Sequence, residues 1–246
     1  VIKIKIFYDK EKSMVLMKRI EEKFGEQSRK KPRGSEMHVS DLTGCPLKPY
    51  CRLIGLKQIF SKSSIGIMVF GIVSENMIGW TFPNEQLQYQ SSIPFVEGDE
   101  NIFGHIDIYE DFKFPLEVKS SRKTVYKASQ LPRIWVEQLM SYMAMQGETL
   151  GWIVLFNVFA ATIMAFQLQM SNSDIMGWLI TLTERSGRIK LAFKKRNPMW
   201  LEPSGEEYFY CAYKKECPRR VACRDKWKEI EAEKKRLKKL KKQKKK

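Results

Sequence analysis

Acidic side chains are the scarce class in this sequence: 28 Asp and Glu stand against 44 Lys and Arg, for a formal net charge of +16. Such a potential attracts polyanions and makes binding to phosphate backbones salt-dependent, so nucleic acid is the first partner to consider and an anionic membrane the second. Half of the excess charge lies in residues 225–246, which leaves the body basic in its own right. No internal repeat is present. No apolar leader is expected: the start VIKIKIFYDK lacks the apolar core of a signal peptide, and a cytoplasmic, reducing compartment is the expectation. In that compartment the five cysteines are poor disulfide candidates and read as metal ligands or buried apolar residues. Only one stretch, 150–168 (LGWIVLFNVFAATIMAFQL), is long enough to raise a membrane helix. Its β-branched and aromatic content, and the interruption at Asn157, Ala160, Ala161 and Thr162, suit a buried hairpin better, so no membrane partner is expected.

What is there reads as one domain with appendages. Met14, Met17, Ile20 and Phe24 recur at helical spacing before the KKPRG breaker, which predicts an amphipathic helix over 9–31. A second helix is predicted over about 63–80. QLQYQSSIPFV, NIFGHIDIYE and FPLEVKSS then read as three successive strands of a meander. A helix over 132–146 ended by Gly147, two apolar strands and a helix over 172–195 follow, and a linker with Pro198 and Pro203 leads to YCAYKKECPRRVAC. The fold class is α/β, helices packed on a mostly buried sheet. The divisions expected are an N-terminal helical region (1–85), a core of sheet and helix (86–170), a helix with the cysteine segment (171–224) and a basic tail (225–246).

Asp107 stands in GHID, and the following strand carries Glu117, Val118 and Lys119. Side chains alternate along a strand, so Glu117 and Lys119 share a face, and a short turn can bring Asp107 beside Glu117. Two carboxylates and a lysine on a buried face need compensation, which a divalent cation supplies. Oxygen ligands of this kind suit Mg²⁺ or Mn²⁺. The other reading is a surface salt bridge on a half-exposed hairpin. Gln138 and Tyr142, at i and i+4 on the next helix, extend the set.

The ordered set GHID, EVK and QLMSY resembles the RecB-like branch of the PD-(D/E)xK nucleases. The resemblance implies a restriction-endonuclease-like core, a mixed sheet flanked by helices, and a metal-dependent deoxyribonuclease. In such a site Asp107, Glu117 and the Val118 carbonyl hold the metal, Lys119 serves catalysis, and Gln138 and Tyr142 contact substrate or brace the site. The family pattern also places a histidine on the metal from the preceding helix. Here GIVSE puts Ser74 in that slot, with Glu75 beside it as the alternative ligand. Neither His38 nor His105 fits the slot, and His105 is expected to support the site rather than ligate the metal.

Cys45 and Cys51 precede the core, whereas Cys211, Cys217 and Cys223 follow it, so a shared metal would staple both ends of the domain. Thiolates favour zinc or an iron-sulfur cluster, and spacing alone does not decide. SDLTGCP and CPRRVAC resemble the [4Fe-4S] pattern of some RecB-like nucleases, closest to the CRISPR-associated Cas-four exonucleases. That resemblance implies Cys45, Cys211, Cys217 and Cys223 as ligands, Cys51 as the alternate, zinc as the lesser occupant, single-stranded DNA ends as substrate and CRISPR integrase proteins as partners. An oligomer is compatible with the family. The lysine-rich end reads as a clamp on DNA backbone or a solvated tail. Trp200, Tyr208, Phe209 and Tyr210 are expected in the core, with stacking on single-strand bases as the alternative.

Overall fold

The computed structural model describes residues 36–60, 62–79, 92–97, 100–110, 114–205, 208 and 211–243. The helix expected over 9–31 lies outside them, as do Phe209 and Tyr210. Seven strands are described: β1 Met37–His38, β2 Ser92–Glu97, β3 Glu100–His105, β4 Ile108–Glu110, β5 Phe114–Ser121, β6 Leu150–Asn157 and β7 Thr162–Gln169. The helices are α1 Val39–Thr43, α2 Leu47–Leu53, α3 Lys62–Gly79, α4 Arg133–Gln146, α5 Asn172–Lys194 and α6 Arg220–Gln243.

The expected meander is in fact two hairpins in two sheets. β3 pairs with β2 and β1, whereas β4 joins a four-stranded sheet in the order β4-β5-β6-β7. The NIFGHIDIYE stretch keeps its alternation throughout, Ile102, Gly104, Ile106 and Ile108 being buried. However, Ile106 belongs to the core around Met37 and Tyr142, and Ile108 to the core around Leu116 and Val118. The chain therefore passes from one sheet to the other between them, at Asp107.

The larger sheet is mixed. β5 and β6 run parallel, joined by the α4 crossover, and β4 and β7 flank them antiparallel. Ile153, opposite Glu117 in the register, packs with Leu139 and Met143 of α4. Val154, opposite Val118, packs with Ile78 of α3. The two faces of β5 are thus covered by different helices, as the period of two requires. Gly151 allows the α4 layer to sit directly on β6, since a Cβ there would lie 2.9 Å from both Leu139 Cδ1 and Met143 Sδ. Gly147 ends α4 in a left-handed cap at φ 73°.

The 150–168 stretch forms the expected hairpin, but only β6 is buried. β7 is an edge strand that alternates between partly covered and exposed positions, with Ile163 exposed. Asn157 stops β6: its Oδ1 accepts from the Phe159 and Ala160 N–H groups at 3.0 Å, and its Nδ2 donates to Thr124. Among the described residues no helix is long and apolar enough to cross a membrane. The basic tail is helical from Arg220 to Gln243 and carries Arg236–Glu233 and Lys234–Glu231 pairs on its surface.

Candidate active site

Asp107, at the crossing between the sheets, is held by the next strand. Its Oδ2 accepts a hydrogen bond from the Val118 N–H at 2.8 Å. Glu117, on the α4 side of β5, is 1% exposed and paired through Oε1 with Lys119 Nζ. Its other oxygen, Oε2, is buried without a hydrogen-bond partner among the described residues. Such an orphan costs about 1–3 kcal/mol or more, and a vacant carboxylate lone pair beside a second carboxylate suits a divalent cation.

Electrostatics concentrate on the same residues. Burial raises Glu117 to about 8, against the pull of Lys119 and with help from Asp107 and Glu75. Burial also raises Asp107, although Lys119 and the Val118 N–H draw it down. Burial works against charge on Lys119, but Glu117 and Asp107 outweigh it and its pKa rises. The acids outnumber the single lysine, so a proton is held where a cation would replace it.

The neighbours fall into place unevenly. Glu75 on α3 bears on both Glu117 and Lys119 electrostatically. Ser74 is buried and its hydroxyl donates to the Phe70 carbonyl at 2.7 Å, inside its own helix. Tyr142 is buried with its ring on the backbone of Gly104, where a Cβ would come within 3.1 Å. Gln138 is half-buried one position beyond Glu137. His105 is exposed and stacks on His38, with centroids 5.3 Å apart.

Sequence reasoning missed Glu137. This buried carboxylate takes Arg133 Nε at 2.6 Å and Arg185 Nη1 at 2.8 Å. Arg185 also donates to the Leu42 carbonyl and lies over the Trp178 ring, which ties α1, α4 and α5 together. The i, i+4 spacing of Arg133 and Glu137 was the one available signal.

All five cysteines line one narrow cavity of about 20 Å³ between α2 and the start of α6, with Lys48, Lys214 and Arg220 around it. Hydrogen bonds from Cys223 and Cys51 hold the Cys217 thiol down at about 3. Cys51 and Cys223 are raised, each chiefly by the bond to Cys217, and Cys223 also touches Cys45. Cys211 is raised by burial and senses Cys45 and Cys217 only through space. Among the described residues, no group of three or more His, Cys, Asp or Glu side chains is set to hold a metal ion as it stands. The thiols themselves line the cavity. Their donor chemistry and surrounding cations fit a thiolate-bound metal, which would separate the contacts made by Cys217.

No family model and no curated protein matches the sequence. Among solved structures the chain is similar to SSO0001, with TM-score 0.56 and 16% identity over 85% of this chain and 96% of that one. It is also similar to an alkaline exonuclease from Laribacter hongkongensis, with TM-score 0.50 and 12% identity over 67% of this chain and 92% of that one. That exonuclease has been solved with dAMP as well, at TM-score 0.50 and 11% identity over 66% and 91% of the two chains. The chain shares with these structures a restriction-endonuclease-like fold, a mixed sheet flanked by helices.

Proposed function

We propose that the chain is a divalent-metal-dependent DNA nuclease whose centre is Asp107, Glu117 and Lys119. The observation that carries this reading is the unpartnered, buried Glu117 Oε2 next to an Asp107 clamped by the strand that bears Glu117. Asp107, Glu117 and the Val118 carbonyl would hold Mg²⁺ or Mn²⁺, with Glu75 as a further carboxylate in electrostatic range. When bound, such an ion polarises a phosphodiester and lowers the pKa of water. Val118 fixes Asp107 through its N–H, leaving its carbonyl for the opposite role. Lys119, kept charged by its acidic neighbours, supplies positive charge at the phosphate oxygens and orients the attacking water. Tyr142 braces β3 behind Asp107, and Gln138 completes the helix face.

The substrate supported by the basic body and by the exonuclease fold is DNA, with single-stranded ends as the finer reading. The sequence resemblance adds spacer processing beside CRISPR integrase proteins. Four of the five gathered cysteines would hold a [4Fe-4S] cluster, with zinc as the alternative occupant. The test is cleavage of end-labelled single- and double-stranded DNA with Mn²⁺, Mg²⁺ or EDTA, by wild type and Lys119→Ala. Metal-dependent cutting lost in the variant is expected. Ser74, its hydroxyl already engaged, favours a second reading, a binding subunit without turnover. DNA binding with no cleavage under any metal would select that reading.

A further inference from the structure

A second cleft, of about 450 Å³, opens between α4, α5 and the turn Pro198–Trp200. Its charged lining is Arg133, Arg185, Arg188 and Lys226 against Glu137 and Glu202. Two of those arginines share the single buried Glu137, and Lys226 makes an exposed pair with Glu202 at 3.0 Å, so the lining keeps an excess of positive charge carried by its arginines. Arg133 and Arg188 are each 73% exposed at the side chain, and Arg188 has only a 3.5 Å surface contact with Glu184. Such a surface pair is worth little and is readily exchanged for a better anion.

Trp200 rims the same cleft and is 52% exposed. The turn that displays it is braced on both sides. Asn197 Oδ1 accepts from the Met199 N–H at 3.0 Å, and Pro198 occupies the first position of the turn. Arg219 Nη1 donates to the carbonyls of Met199 at 3.2 Å and Leu201 at 2.6 Å. Leu201 is buried, so the indole is presented from an anchored segment. A fixed, exposed aromatic beside a basic cleft is the arrangement that takes a base by stacking and the adjoining phosphates by charge. An acidic peptide would use the cations but not the indole face.

We infer that this cleft is a track for single-stranded nucleic acid, with a base on Trp200 and phosphates on Arg188, Arg133 and Lys226. Its role in delivering a strand to the carboxylate centre rests on the nuclease reading; its binding role does not. The test is anisotropy of a labelled single-stranded oligonucleotide with the full chain in EDTA. Trp200→Ala is expected to weaken binding about tenfold while Trp200→Phe stays close to wild type. Arg188→Ala is expected to lower the slope of log K against log salt by about one. Equal weakening in both Trp200 variants, or none in either, overturns the inference, as does tighter binding of a polyglutamate peptide. Cleavage by wild type with all variants binding normally sinks the track and spares the nuclease. Binding that depends on Trp200 with no cleavage does the reverse.

Discussion

The molecule contains two buried polar centres built in opposite ways. The carboxylate centre draws Asp107, Glu117 and Lys119 from one short stretch and ties Asp107, at the crossing between the sheets, to the strand of Glu117 and Lys119 through the Val118 N–H. The cysteine centre gathers Cys45 and Cys51 from one end of the domain and Cys211, Cys217 and Cys223 from the other. A local centre can lose a side chain without loss of the sheet that carries it. A centre that closes a long loop is part of what holds the ends together. The first should therefore report on chemistry and the second on stability.

The largest effect that would break this contrast concerns the first centre. Lys119→Ala and Glu117→Gln are expected to lower cleavage by about 10³-fold or more, with little change in melting temperature. A large fall in Tm for Glu117→Gln would show that the carboxylate is structural. In the second centre, Cys217→Ser should abolish iron or zinc retention and cost about 2–5 kcal/mol, roughly 5–15 °C in Tm for a chain of this size. Unaltered Tm with lost metal would remove the staple from the argument.

Within the cysteine centre the contacts rank the ligands. Cys51 and Cys217 are paired, which holds Cys51 up and Cys217 down, whereas burial is the main influence on Cys211. Cys51→Ser is therefore expected to retain less metal than Cys211→Ser, measured as iron and sulfide per chain after anaerobic purification. The reverse order would restore the set implied by the sequence resemblance, with Cys51 as the alternate.

The pH dependence sharpens the first centre. Glu117 holds its proton up to about 8, well above an ordinary carboxyl, because it is buried. A folded-state pKa raised above the unfolded one favours the folded state at low pH, and that contribution is lost as pH rises through about 8. Metal-free wild type should lose stability as pH rises from 4.5 to about 8, and Glu117→Gln should lose less. Divalent binding at pH 7 should release protons, and affinity should rise with pH until Glu117 is ionised. Thermal melts and proton release in buffers of different ionisation enthalpy check both signs.

How much of this was legible in the sequence follows from range. The alternation around Val118 and the helix after it are local patterns, and they placed Glu117, Lys119 and Tyr142 correctly on their elements. The crossing at Asp107 was not legible, because Ile106 and Ile108 alternate as one strand would and only tertiary packing assigns them to different cores. The exposed edge of β7 and the place of Glu137 between two arginines were hidden for the same reason. Trp200 read as core by composition, yet a braced turn turns it outward.

The smallest effect tests whether the local centre depends on the packing behind it. Gly104 lies on β3 just before Asp107, and a methyl there would meet Tyr142 Cδ1 and Cε1 at 3.1 Å. That contact is tighter than ordinary packing, so Gly104→Ala must tilt the ring or lift the strand, at a cost of about 1–3 kcal/mol. If Tyr142 only fills space, Tyr142→Phe should leave activity and stability near wild type and Gly104→Ala should lower Tm alone. If the ring sets the height of β3 behind Asp107, Gly104→Ala should also weaken Mn²⁺ binding severalfold, and adding Tyr142→Leu to make room should recover part of it. Titration of Mn²⁺ into the three variants separates the two cases, since a loss of stability without a change in affinity would confine Tyr142 to the core.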